Sequence, residues 1–294
     1  LIEYLQRTFT LEDGPLTEND LIVKHRLQAF SPSYFKGERL FTFSRANFEA
    51  LKAHQSDARR RELFVTNPLP EPSEEFRSVT ISDLADFFSN PSKYFLRRRL
   101  GMDLVNEDGR MDEVEPFRVD GLNAFLLKQE LLDKELRGGD GDRAFSLYQA
   151  RGILPYGSIG KGSLMALQEE VKALADRVAS QLNGSLVPLP FNRQIGGFLL
   201  EGELQVCASG QVQYRAAKLK GTDIVRAWIH HLALNLAQPG KGARRTVLIG
   251  MDDIIEFGPV SDPESVLLLL LDLYWQGLCR PLKFFPKSSH AYAR

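Results

Sequence analysis

The sequence predicts an α/β fold, on three observations. The stretch 196–232 reads as strand, tight turn, strand and helix in direct succession. A short apolar run of strand type follows at 244–250. Helix-spaced apolar residues recur at 82–88, 119–136, 164–178 and 262–274, the first and last of these sets introduced by capping residues.

Composition bounds what such a fold can do. The chain has 294 residues, 43% hydrophobic and 26% charged, enough for one large or two modest domains with a real core. Net charge is −1, so no global field draws nucleic acid and any such binding must rest on local patches. The two cysteines, Cys207 and Cys279, cannot make a disulfide framework or a four-thiolate metal site, and a reduced, cytoplasmic compartment is expected. The longest apolar run, 266–271, is too short to cross a bilayer, so no membrane partner is expected. The sequence begins at Leu1 rather than Met, and a fragment of a longer chain is expected.

Taken in order, residues 1–75 are expected to form an irregular N-terminal extension ending in a linker. Leu1 to Leu5 can start a short helix, and Thr17 to Asp20 looks like a turn or helix start. Aromatics interrupted by proline follow (Phe30, Pro32, Tyr34, Phe35, Phe41, Phe43), with Ser44 placed to cap a helix carrying Phe48 and Leu51. Aromatics with such weak periodicity dock onto a neighbour more readily than they build a core. The stretch 67–73, NPLPEPS, is a semi-rigid linker by its proline content.

A second domain is expected over 76–294. Ser82 is read as the N-cap of a helix that buries Leu84, Phe87 and Phe88. Asn90-Pro91 restarts the helix with asparagine at the cap and proline in the first turn, and Gly101 stops it. Arg97, Arg98 and Arg99 fall in the last turn, where cations complement the helix dipole; that reading is preferred to phosphate binding. Residues 103–142 carry twelve Asp/Glu against five Lys/Arg, an acidic surface suited to solvent or a protein partner. Their helix, 119–136, has Leu122, Phe125, Leu126 and Leu132 at helical spacing.

The glycine-rich stretch 154–163 has Pro155 where a phosphate-binding loop needs its first glycine. It is read instead as a flexible lead into the helix of Leu164, Leu167, Val171, Leu174 and Val178. In the stretch 196–232, Leu200, Gly202, Leu204 and Val206 alternate with Glu201, Glu203, Gln205 and Cys207, and 208–210 supplies a hairpin turn. The second strand is expected over 212–219, then a helix capped by Thr222 or Asp223, with Ile224, Val225, Trp228, Ile229 and Leu232 along one side. Residues 244–250 make a buried strand, 251–257 can extend the sheet, and Asp262-Pro263-Glu264 starts the last helix. The tail, 280–294, is expected to pack irregularly.

Most chemical motifs are missing. His230 and His231 are adjacent on a helix, so their side chains diverge by about 100° and cannot share a metal easily. There is no Gly-x-Ser-x-Gly elbow and no complete dinucleotide fingerprint. One electrostatic feature stands out. Between 211 and 245 seven cations (Arg215, Lys218, Lys220, Arg226, Lys241, Arg244, Arg245) face one acid, Asp223, which suits a phosphate backbone or a solvated face.

Several of these segments together resemble a known family: HRLQAFSPSYF at 25–35, ISDLADFFSNPSKYFLRRRLG at 81–101, LPYG at 154–157, and the strand–turn–strand–helix stretch. They are similar to the C-terminal part of the RecC family, the gamma subunit of exodeoxyribonuclease V. The resemblance implies a restriction-endonuclease-like (PD-(D/E)xK) fold, a central mixed sheet flanked by helices. It also implies a DNA-processing helicase–nuclease with RecB-like and RecD-like partners, acting on double-strand breaks.

An active nuclease of this type sets an Asp on one strand and an Asp/Glu-x-Lys on the next. The carboxylates hold Mg²⁺, which activates water and stabilises the phosphoryl transition state. Matched to that pattern, the positions here are Gln205, Ala216 and Lys218. An amide and a methyl cannot hold a divalent ion, so the expectation is a module with no metal, no cofactor and no catalysis of its own. Glu201 and Glu203 are the carboxylates through which a divergent Mg²⁺-dependent nuclease remains the alternative.

Overall fold

A computed structural model describes residues 1–37, 39–55, 64–102, 116–138, 144–238 and 244–293. The chain divides into two compact units, Leu1–Thr66 and Asn67–Arg294.

The first unit has little regular structure. It comprises α1 (Ile2–Thr8), a minimal antiparallel pair β1 (Thr10–Leu11) and β2 (Gly14–Pro15), α2 (Glu18–Leu21), α3 (Ser33–Lys36) and α4 (Arg45–Gln55). Local hydrogen bonds set its turns. The Asp20 carboxylate accepts the backbone N–H (2.9 Å) and hydroxyl (2.6 Å) of Thr17, which pulls its pKa below the usual carboxylate range. Ser44 caps α4 as expected, its hydroxyl accepting from the Asn47 N–H at 3.3 Å. Tyr34 is buried and its hydroxyl accepts from the backbone of Arg26 at 2.9 Å. Leu27, Phe41 and Phe43 stay exposed.

The second unit opens with the proline-rich stretch, which is fastened down: the Leu69 N–H donates to the Cys279 carbonyl at 2.7 Å. Then come β3 (Ser78–Thr80) and α5 (Ile81–Ser89). The cap of α5 is Thr80 rather than Ser82. Its hydroxyl accepts the Asp83 N–H at 2.9 Å, because β3 delivers Thr80 in the extended conformation a cap requires. Leu84, Phe87 and Phe88 face inward as expected. Asn90 caps α6 (Pro91–Tyr94), accepting from the Lys93 N–H at 3.0 Å, and the helix widens into one π-turn, Phe95–Arg99, before Gly101 at φ +64°.

Next are α7 (Gly121–Leu136), α8 (Ala144–Ala150) and α9 (Gly157–Gln181). Of the acidic stretch expected to face solvent or a partner, 103–115 and 139–142, with eight of its twelve acids, lie outside the described residues. The buried face of α7 is Leu127, Leu131 and Leu132, while Leu122 and Leu126 are exposed. Two apolar stripes run along this helix, and packing against α9 selects one. The glycine-rich stretch is not a flexible lead: 157–163 is already helix. Gly160 is there because a Cβ would stand 1.9 Å from the Pro155 carbonyl oxygen.

The strands differ most from expectation. β4 (Val187–Ile195) and β5 (Phe198–Val206) form a full antiparallel hairpin through Gly196, at φ +56°. β5 also pairs parallel with β3, giving the order β3-β5-β4. β6 is short, Gln211–Tyr214, and does not extend to 219. Instead of pairing with β5 it pairs parallel with β7 (Thr246–Ile249), which pairs antiparallel with β8 (Ile254–Phe257). The expected hairpin survives only as a bridge between Cys207 and Gly210 across the turn. Among the described residues the strands of this unit thus form two three-stranded sheets, one mixed set on either side of that turn.

Between β6 and β7 runs α10 (Gly221–Ala237), whose N-cap position is Lys220, with no side-chain cap bond, rather than Thr222 or Asp223. Asp223 sits one turn in, its carboxylate accepting the Lys220 N–H at 2.9 Å. α11 (Pro263–Cys279) starts at Asp262 as expected, the carboxylate accepting from the Ser265 N–H at 3.1 Å. The tail is not irregular but contains α12 (Pro286–Ala293). It seats against Gly221, where a Cβ would lie 2.4 Å from the Pro286 carbonyl oxygen.

Two cores result. One joins β3, α5, β4, β5, α10 and α11 around Phe87, Leu200, Leu204, Ile229 and Tyr274. The other joins α7, α8, α9, β6 and β7 around Leu132, Tyr148, Leu174 and Ile249.

Candidate functional site

β5 is the central strand of its sheet, so its two faces have different fates. Leu200 and Leu204 are fully buried, while Glu203 and Gln205 are exposed on the other face. Gly202, at φ +154°, stands over Ile81 of α5, and a Cβ there would meet the isoleucine side chain at 3.3 Å. The Gln205 amide donates to the Glu203 carboxylate at 2.7 Å. Glu201 is half-buried beside Ser78, whose hydroxyl lies 3.5 Å from it.

Ala216 and Lys218 follow β6, in the bend before α10. Ala216 is 2% exposed and its N–H donates to the Gln129 side chain of α7 at 3.2 Å. Lys218 is exposed. Gln205 therefore lies in one sheet, while the Ala216–Lys218 pair follows a strand of the other. Among the described residues no three His, Cys, Asp or Glu side chains are gathered as a metal-ion site.

The cations of 211–245 are dispersed by the fold. Arg215 is half-buried, paired with Asp223 at 2.5 Å and lying over the Phe125 ring at 4.8 Å. Arg226 is ion-paired with Asp86 of α5. Arg245 is paired with Glu256 on β8, with its second nitrogen 2.8 Å from the carboxylate. Lys218 and Lys220 are exposed, Arg244 is half-exposed, and Lys241 lies outside the described residues.

The adjacent histidines diverge as their spacing requires. His231 is fully buried, its Nε2 bonded to the Gly258 carbonyl (2.8 Å) and its Nδ1 to the Thr246 hydroxyl (2.9 Å). That pattern suits the neutral ring with the proton on Nε2, and burial holds its pKa below the ordinary value. His230 is held at about 4, first by burial and then by the charge of Arg226.

A sequence model of the RecC C-terminal domain matches residues 76–294. The chain belongs to that family. Curated relatives extend the similarity over the rest of the sequence. The RecBCD enzyme subunit RecC of Escherichia coli K12 is 29% identical over 275 residues, 92% of this chain and 24% of that protein. The RecBCD enzyme subunit RecC of Mycolicibacterium smegmatis is 28% identical over 301 residues, 97% of this chain and 27% of the relative. The RecBCD enzyme subunit RecC of Mycobacterium tuberculosis H37Rv is 29% identical over 310 residues, covering 100% of this chain and 28% of the relative. The chain spans about a quarter of the length of the RecC proteins it matches.

Two features escaped sequence reading. One is β4, where Leu189, Phe191 and Ile195 turn inward at period two, a signal masked by Pro188 and Pro190. An edge strand tolerates those prolines because its outer side owes no ladder bonds. The other is a charged groove beside α5, formed by residues too far apart in sequence to be read as one site. No helix among the described residues is long and apolar enough to cross a membrane.

Proposed function

We propose that this chain is a non-catalytic structural and DNA-handling module of a RecBCD-type helicase–nuclease. It docks RecB-like and RecD-like subunits and guides unwound strands during double-strand break repair in the cytoplasm. Residues 76–294 form its nuclease-like domain, of restriction-endonuclease-like ancestry, and 1–75 its extension and linker. Membership of the RecC family and the resemblance that goes with it support the setting.

The observation that carries the loss of catalysis is the chemistry at the three motif positions. Gln205 offers an amide, and its nitrogen is already given to Glu203. Ala216 offers a buried methyl held against α7. A divalent ion needs oxygen ligands, which neither site supplies as a carboxylate. The exposed apolar residues of the first unit, Leu27, Phe41 and Phe43, suit a protein partner.

The test is direct. The purified chain is incubated with labelled single- and double-stranded DNA and Mg²⁺ or Mn²⁺, and no cleavage above the metal-only control is expected. Metal-dependent cleavage that Glu203→Ala or Glu201→Ala abolished would instead establish the divergent nuclease. Co-purification with RecB-like and RecD-like subunits, lost when Leu27, Phe41 and Phe43 are changed to serine, tests the docking role.

A further inference from the structure

A groove of about 650 Å³ opens between α5, α6, the π-turn and α10. Four cations line it, Lys93, Arg97, Arg98 and Arg226, against two carboxylates, Asp83 and Asp86. Both carboxylates are already engaged. Asp83 takes the Thr80 hydroxyl at 2.7 Å and Arg98 at 3.3 Å, and Asp86 is paired with Arg226. Among the described residues the lining carries four cations to two carboxylates in a concave, polar recess, where fields are stronger than on a flat surface.

The arginine triplet is divided by the fold. Arg99 turns inward and is consumed structurally, giving Nε to the Leu278 carbonyl at 3.2 Å and a terminal nitrogen to the Pro70 carbonyl at 2.7 Å. Arg97 and Arg98 remain exposed on the groove, as does Lys93 one turn earlier. Backbone groups already close the helix end: the Leu100 N–H donates to the Phe95 carbonyl (3.1 Å) and the Met102 N–H to that of Leu96 (2.8 Å). Those two carbonyls therefore do not need the arginines as caps. A π-turn at this point is itself a rare geometry, frequent at functional sites.

We propose that this groove binds the phosphodiester backbone of a single DNA strand through Lys93, Arg97 and Arg98. Guanidinium forks match phosphate oxygens in pairs, and a positively charged groove can track the flexible backbone of a single strand. The proposal rests on the DNA-handling reading above and moves its contact away from the 211–245 segment.

The experiment is fluorescence anisotropy of the chain with a labelled oligo(dT) strand over a salt series. Duplex DNA and a polyglutamate peptide serve as competitors, and thermal melting is the folding control. Lys93→Gln/Arg97→Gln/Arg98→Gln is expected to weaken binding at least tenfold and to flatten the log K against log salt slope by about 2, at roughly 0.7 per lost phosphate contact. Lys93→Gln/Arg97→Gln spares the Arg98–Asp83 pair and is expected to flatten it by about 1.4, which decides the matter should the triple variant unfold. Arg99→Gln should lower the melting temperature and leave the slope alone. An unchanged slope in the groove variants, with binding lost on Lys218→Gln/Lys220→Gln/Arg244→Gln, overturns the groove and spares the DNA-handling reading. No salt-dependent affinity in the unaltered chain overturns both. Competition by polyglutamate as strong as by oligo(dT) also overturns the proposal, marking an acidic-peptide site.

Discussion

Two positively charged regions of this chain change places between sequence and structure. The 211–245 segment has seven cations for one acid along the chain. In space Asp223, Asp86 and Glu256 reach three of them. The arginine triplet at 97–99 reads as an ordinary helix end, yet two of its members line a groove where, among the described residues, cations outnumber acids. Charge clustering along a chain is thus a weak guide to field, because the neutralising acids arrive from other elements. Asp86 lies 140 positions from Arg226.

If that comparison is right, the 211–245 arginines serve stability and the groove cations serve binding. Arg215 gives the largest test. Its pair with Asp223 is mostly shielded, with side chains 26% and 13% exposed, and Phe125 covers the guanidinium. Arg215→Ala leaves Asp223 half-buried and unpaired, with an expected loss of about 3 kcal/mol in chemical denaturation. DNA affinity of the folded fraction should not change.

Arg226 belongs to both regions, and His230 reports on it. The His230 pKa is held down to about 4, by burial and then by Arg226. The unfolded chain, with an ordinary imidazole, binds its proton first as pH falls. The stability this group contributes is therefore complete above about pH 6.5, declines towards pH 4 and does not change further below it. The expected loss across that window is about 2–3 kcal/mol, measured by urea melts at several pH values. Arg226→Gln should raise the His230 pKa in an NMR titration and shrink the acid loss.

The smallest effect is expected at Arg245. Its pair with Glu256 is exposed, with side chains at 37% and 53%. Arg245→Ala should cost less than about 1 kcal/mol. A loss above that would mean the pair holds β7 to β8 and that this end of the segment is as structural as Arg215.

Local chemistry made much of the fold legible. Asn90-Pro91 and Asp262-Pro263 announce helix starts that the structure confirms with side-chain caps at 3.0 and 3.1 Å. Leu84, Phe87 and Phe88 lie on the buried side of α5, and 246–249 is buried throughout. The readings that failed needed a partner to be known. Ser82 and Thr80 are both competent caps, and only the arrival of β3 selects Thr80. The stripes of α7 are equally apolar until α9 covers one. Period-two alternation marks β5 correctly but cannot name its neighbours, and these proved to be β4 and β3, not β6.

By itself, then, the sequence determined the α/β class, most helix limits, the two-faced character of β5, and an amide, a methyl and an amine at the positions matched to a nuclease motif. These follow from short-range rules: capping needs a side chain within three residues, and burial pattern follows the period of the element. Tertiary structure alone decided how the strands divide between two sheets, why Gly160 and Gly221 must lack a side chain, and which cations face an open groove. Those outcomes depend on atoms that meet across tens to hundreds of residues, where contact and charge add through space.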